Sequence, residues 1–87
     1  MTPEQLQTIA SVIDAQTLSE SLVMTLRSEY PGLHFTYCMD DDVGSHAPAY
    51  EGTGFNLYLV DGREHCLCLT ANYEHASGLV IAEVVAD

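Results

Sequence analysis

The sequence predicts an α+β fold: two N-terminal helices packed on a four-stranded antiparallel sheet, in ααββββ order, within a single domain spanning residues 1–87. Three observations carry this. Apolar residues recur at offsets of three and four as far as Glu29, the period changes to two after Gly32, and the later apolar segments are short and bounded by turn formers.

Thr2-Pro3-Glu4-Gln5 supplies a capping hydroxyl, a proline at the first helical position and a glutamine three residues after the cap. Leu6, Ile9, Ala10, Val12 and Ile13 continue from it as one apolar stripe, predicting a helix that ends near Asp14. Thr17 and Glu20 form a second capping box, and Leu18, Leu22, Val23 and Leu26 predict a second helix to about Glu29, where Pro31-Gly32 stops it. The short connection predicts an antiparallel hairpin or a bent pair.

Leu33, Phe35, Tyr37 and Met39 alternate with His34, Thr36 and Cys38, which predicts a strand with one apolar face. Residues 40–53 hold three aspartates, two glycines and a proline and read as a long loop, a kind of segment that is usually functional or mobile. Phe55 to Val60 and Glu64 to Thr70 flank Asp61-Gly62, a strong hairpin signal. A two-residue and a four-residue turn give the same parity. Phe55, Leu57 and Leu59 therefore share a face with Cys66 and Cys68, while Asn56, Tyr58, His65 and Leu67 share the other. Asn72 to Gly78 read as a turn with room for one helical turn, and Leu79 to Val85 as the last strand.

That last strand is apolar on both faces: Val80, Ala82 and Val84 on one, Leu79, Ile81 and Val85 on the other. Two helices cover only one face of a sheet. The expectation is a protein partner or self-association as a homodimer through the uncovered sheet face or an edge; the competing expectation is that the long loop folds over that face.

Composition narrows the classes further. A chain of 87 residues has room for one core, and a domain of that size buries only about 60–65% of its unfolded surface. A hydrophobic fraction of 47% against 17% charged residues excludes a charged disordered tail. No apolar run approaches the roughly 18–20 residues that span a bilayer, and the start lacks the basic and apolar stretches of a signal peptide, so a cytoplasmic location is expected. Thirteen Asp and Glu face only Arg27 and Arg63, for a formal charge of −11. Such a surface repels phosphate backbones and anionic lipid, which argues against nucleic acid and membrane and leaves basic proteins, cations or neutral ligands. The same charge also serves solubility alone.

The side chains capable of chemistry are few. Cys38, Cys66 and Cys68 are odd in number and form no C-x-x-C, so no disulfide framework is expected. Asp40, Asp41 and Asp42 with His46 form the candidate metal site, carboxylates for a hard cation and an imidazole for a transition metal, although the spacing is not that of an EF-hand and a solvated acidic loop is the competing reading. His65, Cys66 and Cys68, with Cys38 and His34, offer soft ligands for zinc or an iron–sulfur unit, but alternation turns His65 away from the two cysteines, which read first as core. His34 and Cys38 share a strand face at a separation of four residues, too far apart for a nucleophilic pair. There is no nucleophile elbow, phosphate loop or dinucleotide fingerprint, and the glycines of Glu51-Gly52-Thr53-Gly54-Phe55 precede a strand rather than a helix. A non-enzymatic protein is expected. Tyr30, Tyr37, Tyr50, Tyr58 and Tyr73 suit a binding surface or partial burial equally.

Several segments taken together carry a resemblance: Tyr30-Pro31-Gly32-Leu33-His34-Phe35-Thr36-Tyr37-Cys38, Asp40-Asp41-Asp42-Val43, Glu51 through Val60, His65 through Thr70, and Ala76-Ser77-Gly78-Leu79-Val80. The chain resembles, over about Tyr30 to Glu83, a small uncharacterised proteobacterial family whose genes often accompany nitrogen-fixation genes. The resemblance implies an accessory role near nitrogenase or its cofactor assembly and brings no defined activity or cofactor. The functional expectation is an acidic protein-interaction module, with a metal or metallocluster carrier using the Asp-rich loop and nearby His and Cys as the alternative.

Overall fold

The computed structural model describes residues 1–16, 18–43, 47–61, 68–70 and 72–84. Helix α1, Pro3–Asp14, starts where the sequence provides a cap: the Thr2 hydroxyl accepts the Gln5 N–H at 3.1 Å and Pro3 occupies the first turn. Helix α2, Glu20–Glu29, is capped by Ser19, whose hydroxyl accepts the Leu22 N–H at 3.3 Å. The helix thus begins later than the Thr17–Glu20 box predicts, and Thr17 itself lies outside the described residues. Leu6, Ile9, Ala10 and Ile13 of α1 and Leu22, Val23 and Leu26 of α2 are buried in one core with Phe35, Phe55, Leu57, Leu59, Leu79 and Ile81 from the sheet. Burying a side chain of this kind contributes about 1.5–3 kcal/mol.

Among the described residues the sheet has five strands: β1 (His34–Met39), β2 (Tyr50–Glu51), β3 (Phe55–Asp61), β4 (Cys68–Thr70) and β5 (Gly78–Glu83). It is mixed, which corrects the expected four-stranded antiparallel arrangement. β5 sits between β1 and β3, parallel to β1 and antiparallel to β3. The physical reason lies in the pattern of β5: a strand apolar on both faces belongs at the centre of a sheet, with a neighbour on each side. β2 and β4 follow one another along the remaining edge of β3, opposite Asn56–Leu57 and Leu59–Asp61 respectively.

Two further differences concern turns. The stretch from residue 40 to residue 53 is not all loop, since Tyr50 and Glu51 pair with Leu57 and Asn56, and Asp40–Asp42 form a 3-10 turn. Two residues are too few to show an alternating pattern. Between them and β3 the chain reverses at Thr53-Gly54, where Gly54 has φ +81°, a left-handed conformation that glycine adopts without strain. In the second hairpin Asp61 is paired with Cys68, so Asp61-Gly62 is not a two-residue turn. Parity survives this shift: Cys68 occupies a register position on the face of Leu57 and Leu59, as expected, while Cys66, His65 and Leu67 lie outside the described residues. The turn before β5 does contain one helical turn, Tyr73–His75, capped by Asn72 Oδ1 accepting the Glu74 N–H at 2.9 Å.

The face away from the helices carries Thr36 and Cys38 of β1, Asn56, Tyr58 and Val60 of β3, and Val80 and Ala82 of β5. Tyr58 and Val60 are each only 4% exposed and Ala82 is fully buried, within this one chain. The centre of this face is therefore not an open docking surface.

Candidate functional site

Among the described residues β1 is an edge strand, with β5 on one side and no strand on the other. The His34 N–H donates to Ser77 O at 3.1 Å, toward β5. Backbone groups alternate sides along a strand, so those of Thr36 and Cys38 also face β5 while those of Phe35, Tyr37 and Met39 face outward. The Phe35 carbonyl shows this directly, because it accepts from Arg27 Nη2 of α2 at 2.9 Å. Among the described residues no strand pairs with this edge.

A groove of about 310 Å³ follows the edge, lined by Glu20, Val23, Met24 and Arg27 from α2 and by Phe35, Thr36 and Tyr37 from β1. Three consecutive strand residues, which point alternately to the two faces, can all line a groove only if it runs along the strand's side. Apolar surface is exposed here: Met24 is 65% exposed, and Met39, two residues beyond Tyr37 on the same face, is 37% exposed. Methionine adapts its shape to a partner more readily than branched side chains do. β1 also contains no glycine, proline or full charge in His34–Met39, the devices that commonly blunt an edge. Sequence reasoning missed Met24 and Arg27. The available signals were a methionine off the buried stripe of α2 and one of only two basic residues placed in its last turn.

The Tyr37 hydroxyl donates to Glu83 Oε1 at 2.6 Å across the end of β5. Its pKa is raised, first by that hydrogen bond, then by burial and the charges of Glu83 and Glu20. On the far face Tyr58 is also raised, by burial first and then by its bond to Asp40. Both groups keep their protons in the folded chain above the pH at which they lose them in the unfolded one. Their contribution to stability is complete below about pH 10 and is lost as pH rises through the folded values. Alkaline denaturation followed by circular dichroism should show stability falling above about pH 10, with the slope reduced in Tyr58→Phe relative to wild type.

The predicted metal residues are placed as follows. Asp40 Oδ1 accepts from the Tyr58 hydroxyl at 2.8 Å and from Asn56 Nδ2 at 3.0 Å, so this carboxylate turns inward and ties the 3-10 turn to the sheet. Asp41 and Asp42 are exposed, and His46 lies outside the described residues. Among the described residues no group of three or more His, Cys, Asp or Glu is arranged to hold a metal ion. Cys38 is half-buried beneath this turn, and burial, followed by the charges of Asp42 and Asp40, pushes its thiol pKa up, which disfavours the thiolate a nucleophile requires. His34 is exposed at the other end of β1. Cys66 and His65 are outside the described residues. Of the five tyrosines Tyr58 is buried and Tyr30, Tyr37, Tyr50 and Tyr73 are half-buried against the core.

No helix among the described residues is long and apolar enough to cross a membrane. No curated protein and no solved structure matches the chain. A family model does match, over residues 7–84, which takes in both helices and all five strands apart from the first turn of α1. The chain belongs to that family, a family of unknown function designated DUF6129.

Proposed function

We propose that the chain is a non-enzymatic protein-interaction module, an acidic accessory protein of the cytoplasm that docks through the outer edge of β1. The observation that supports this reading is the side of β1 with which no strand pairs among the described residues, together with the groove beside it where Met24 is exposed. Strand addition at such an edge provides main-chain hydrogen bonds for affinity and a side pocket for selectivity. The resemblance to proteins encoded beside nitrogen-fixation genes supplies a setting, an assembly connected with nitrogenase or its cofactors. A carrier of metal on Asp40, Asp41, Asp42 and His46 has less behind it, because one oxygen of Asp40 already accepts two hydrogen bonds.

Capture of partners by the full chain from its native host, grown on dinitrogen, tests the reading. The wild type should retain a protein that Met24→Lys combined with Met39→Lys loses, since lysines on an edge are an established obstacle to pairing. Identical capture by both chains, or none by either, would overturn it.

A further inference from the structure

We propose that the occupant of the β1 edge is an extended, basic segment of a partner protein, added as a sixth strand with apolar residues turned into the α2 groove and lysines or arginines turned outward. This rests on the docking reading above and specifies the partner.

The edge sets the backbone conformation of the occupant. Outward-facing main-chain groups of Tyr37 and Met39 recur every second residue, a spacing that only an extended chain can match on each bond. The groove sets its apolar side. Exposed Met24 and half-buried Tyr37 present its accessible apolar surface beside the buried Val23 and Phe35, so alternate residues of an added strand meet these two side chains there.

Charge sets the rest. Glu20 lines the groove, Glu83 is bonded to Tyr37 at its floor, and Asp41 and Asp42 are exposed just past the end of β1. Among the described lining residues Arg27 is basic; it donates to the Phe35 carbonyl and keeps its charge, so the negative excess comes from the four carboxylates around it. The negative field reaches the strand itself, since the charges of Glu83 and Glu20 both hold the proton on Tyr37. The whole chain carries −11, so a second copy brought edge to edge would set two such charges together, whereas a cationic strand is steered in. Mutual repulsion of this size selects against self-pairing through β1.

The probe is an acetylated, amidated octapeptide alternating lysine and valine, titrated into the full chain at low salt and followed by calorimetry and by amide exchange in NMR spectra. Saturation should slow exchange of the Tyr37 and Met39 amides at least tenfold. A peptide of equal charge with one central proline should bind at least tenfold more weakly, a glutamate–valine peptide should not bind, and Met24→Lys should weaken the lysine–valine peptide at least tenfold. Equal binding of the proline peptide, protection confined to other residues, or a dimer of the free chain in sedimentation with Tyr37 and Met39 already protected would overturn the proposal. Edge-dependent capture from the host combined with no affinity for the cationic peptide would refute the basic partner and leave the docking module standing. Loss of both would refute the two together.

Discussion

Gly78→Ala is expected to destabilise the fold by about 3 kcal/mol, the upper part of the usual range for overpacking. Gly78 opens β5 opposite His34 of β1, and a Cβ there would run into the His34 carbonyl oxygen and lie 2.9 Å from His34 Cβ and 3.0 Å from its carbonyl carbon. Two of those three atoms are backbone and cannot rotate away. Relief requires β1 to move off β5, which opens the parallel pair at its start and disturbs the core beneath Phe35. For a domain of this size the loss corresponds to a fall in Tm of roughly 12–24 °C. Gly32→Ala is the matched control: nothing lies within 4 Å of its added Cβ and its φ is not positive. Thermal unfolding of both variants should leave Gly32→Ala within a few degrees of wild type. Equal behaviour of the two would contradict the close approach of β1 and β5.

Asp40→Ala should cost about 2–3 kcal/mol, because hydrogen bonds to a charged acceptor are worth more than neutral ones and the donor left behind is buried. Tyr58 is only 4% exposed, so removing the carboxylate takes the acceptor from a hydroxyl with little access to water, and Asn56 loses an acceptor at the same time. Asp40→Asn retains an acceptor oxygen and should cost less. In a double-mutant cycle, Tyr58→Phe should be markedly less destabilising in the Asp40→Ala background than in the wild type, since the hydroxyl then has no partner to lose. Urea unfolding of the four chains gives the coupling, and additive effects would show that Asp40 does not hold the turn against the sheet.

Asp40 also illustrates what the sequence disclosed and what it did not. Three consecutive aspartates read as a solvent-facing or metal-binding run, and the structure distinguishes them: half-buried Asp40 accepts from Tyr58 and Asn56, while Asp41 and Asp42 are exposed. The signal was on the other strand: Asn56 and Tyr58 place two polar groups two residues apart on one face of β3, and a covered face requires an acceptor for them. Local features were read well for local reasons. Thr2 and Pro3 start α1 because capping chemistry acts over one turn, and the alternation of Leu33 to Met39 and of Phe55 to Val60 places the right residues on the core face. Two hydroxyl residues, Thr17 and Ser19, stand ahead of α2 in the sequence, and Ser19 is the cap.

Strand order was the part that local reasoning missed. Successive strands invite an antiparallel meander, and nothing short-range indicates that β5 returns to lie between β1 and β3. The two-sided apolarity of Leu79 to Ala82 is legible in the sequence, and a strand with a neighbour on each side accommodates it. With β5 between β1 and β3, β1 is the edge among the described residues, and Tyr58, Val60 and Ala82 on the far face are buried within the chain. The candidate site follows from that arrangement. The side of β1 away from β5 is bordered by the α2 residues Glu20, Met24 and Arg27.

Amide exchange in the free, dilute chain tests the central claim most directly. The amides of Thr36 and Cys38, which point toward β5, should be protected, while those of Tyr37 and Met39, between and beyond them in the same strand, should exchange orders of magnitude faster. Equal protection of all four in a monomer would mean that another part of the chain already covers the edge, and the docking account would fail.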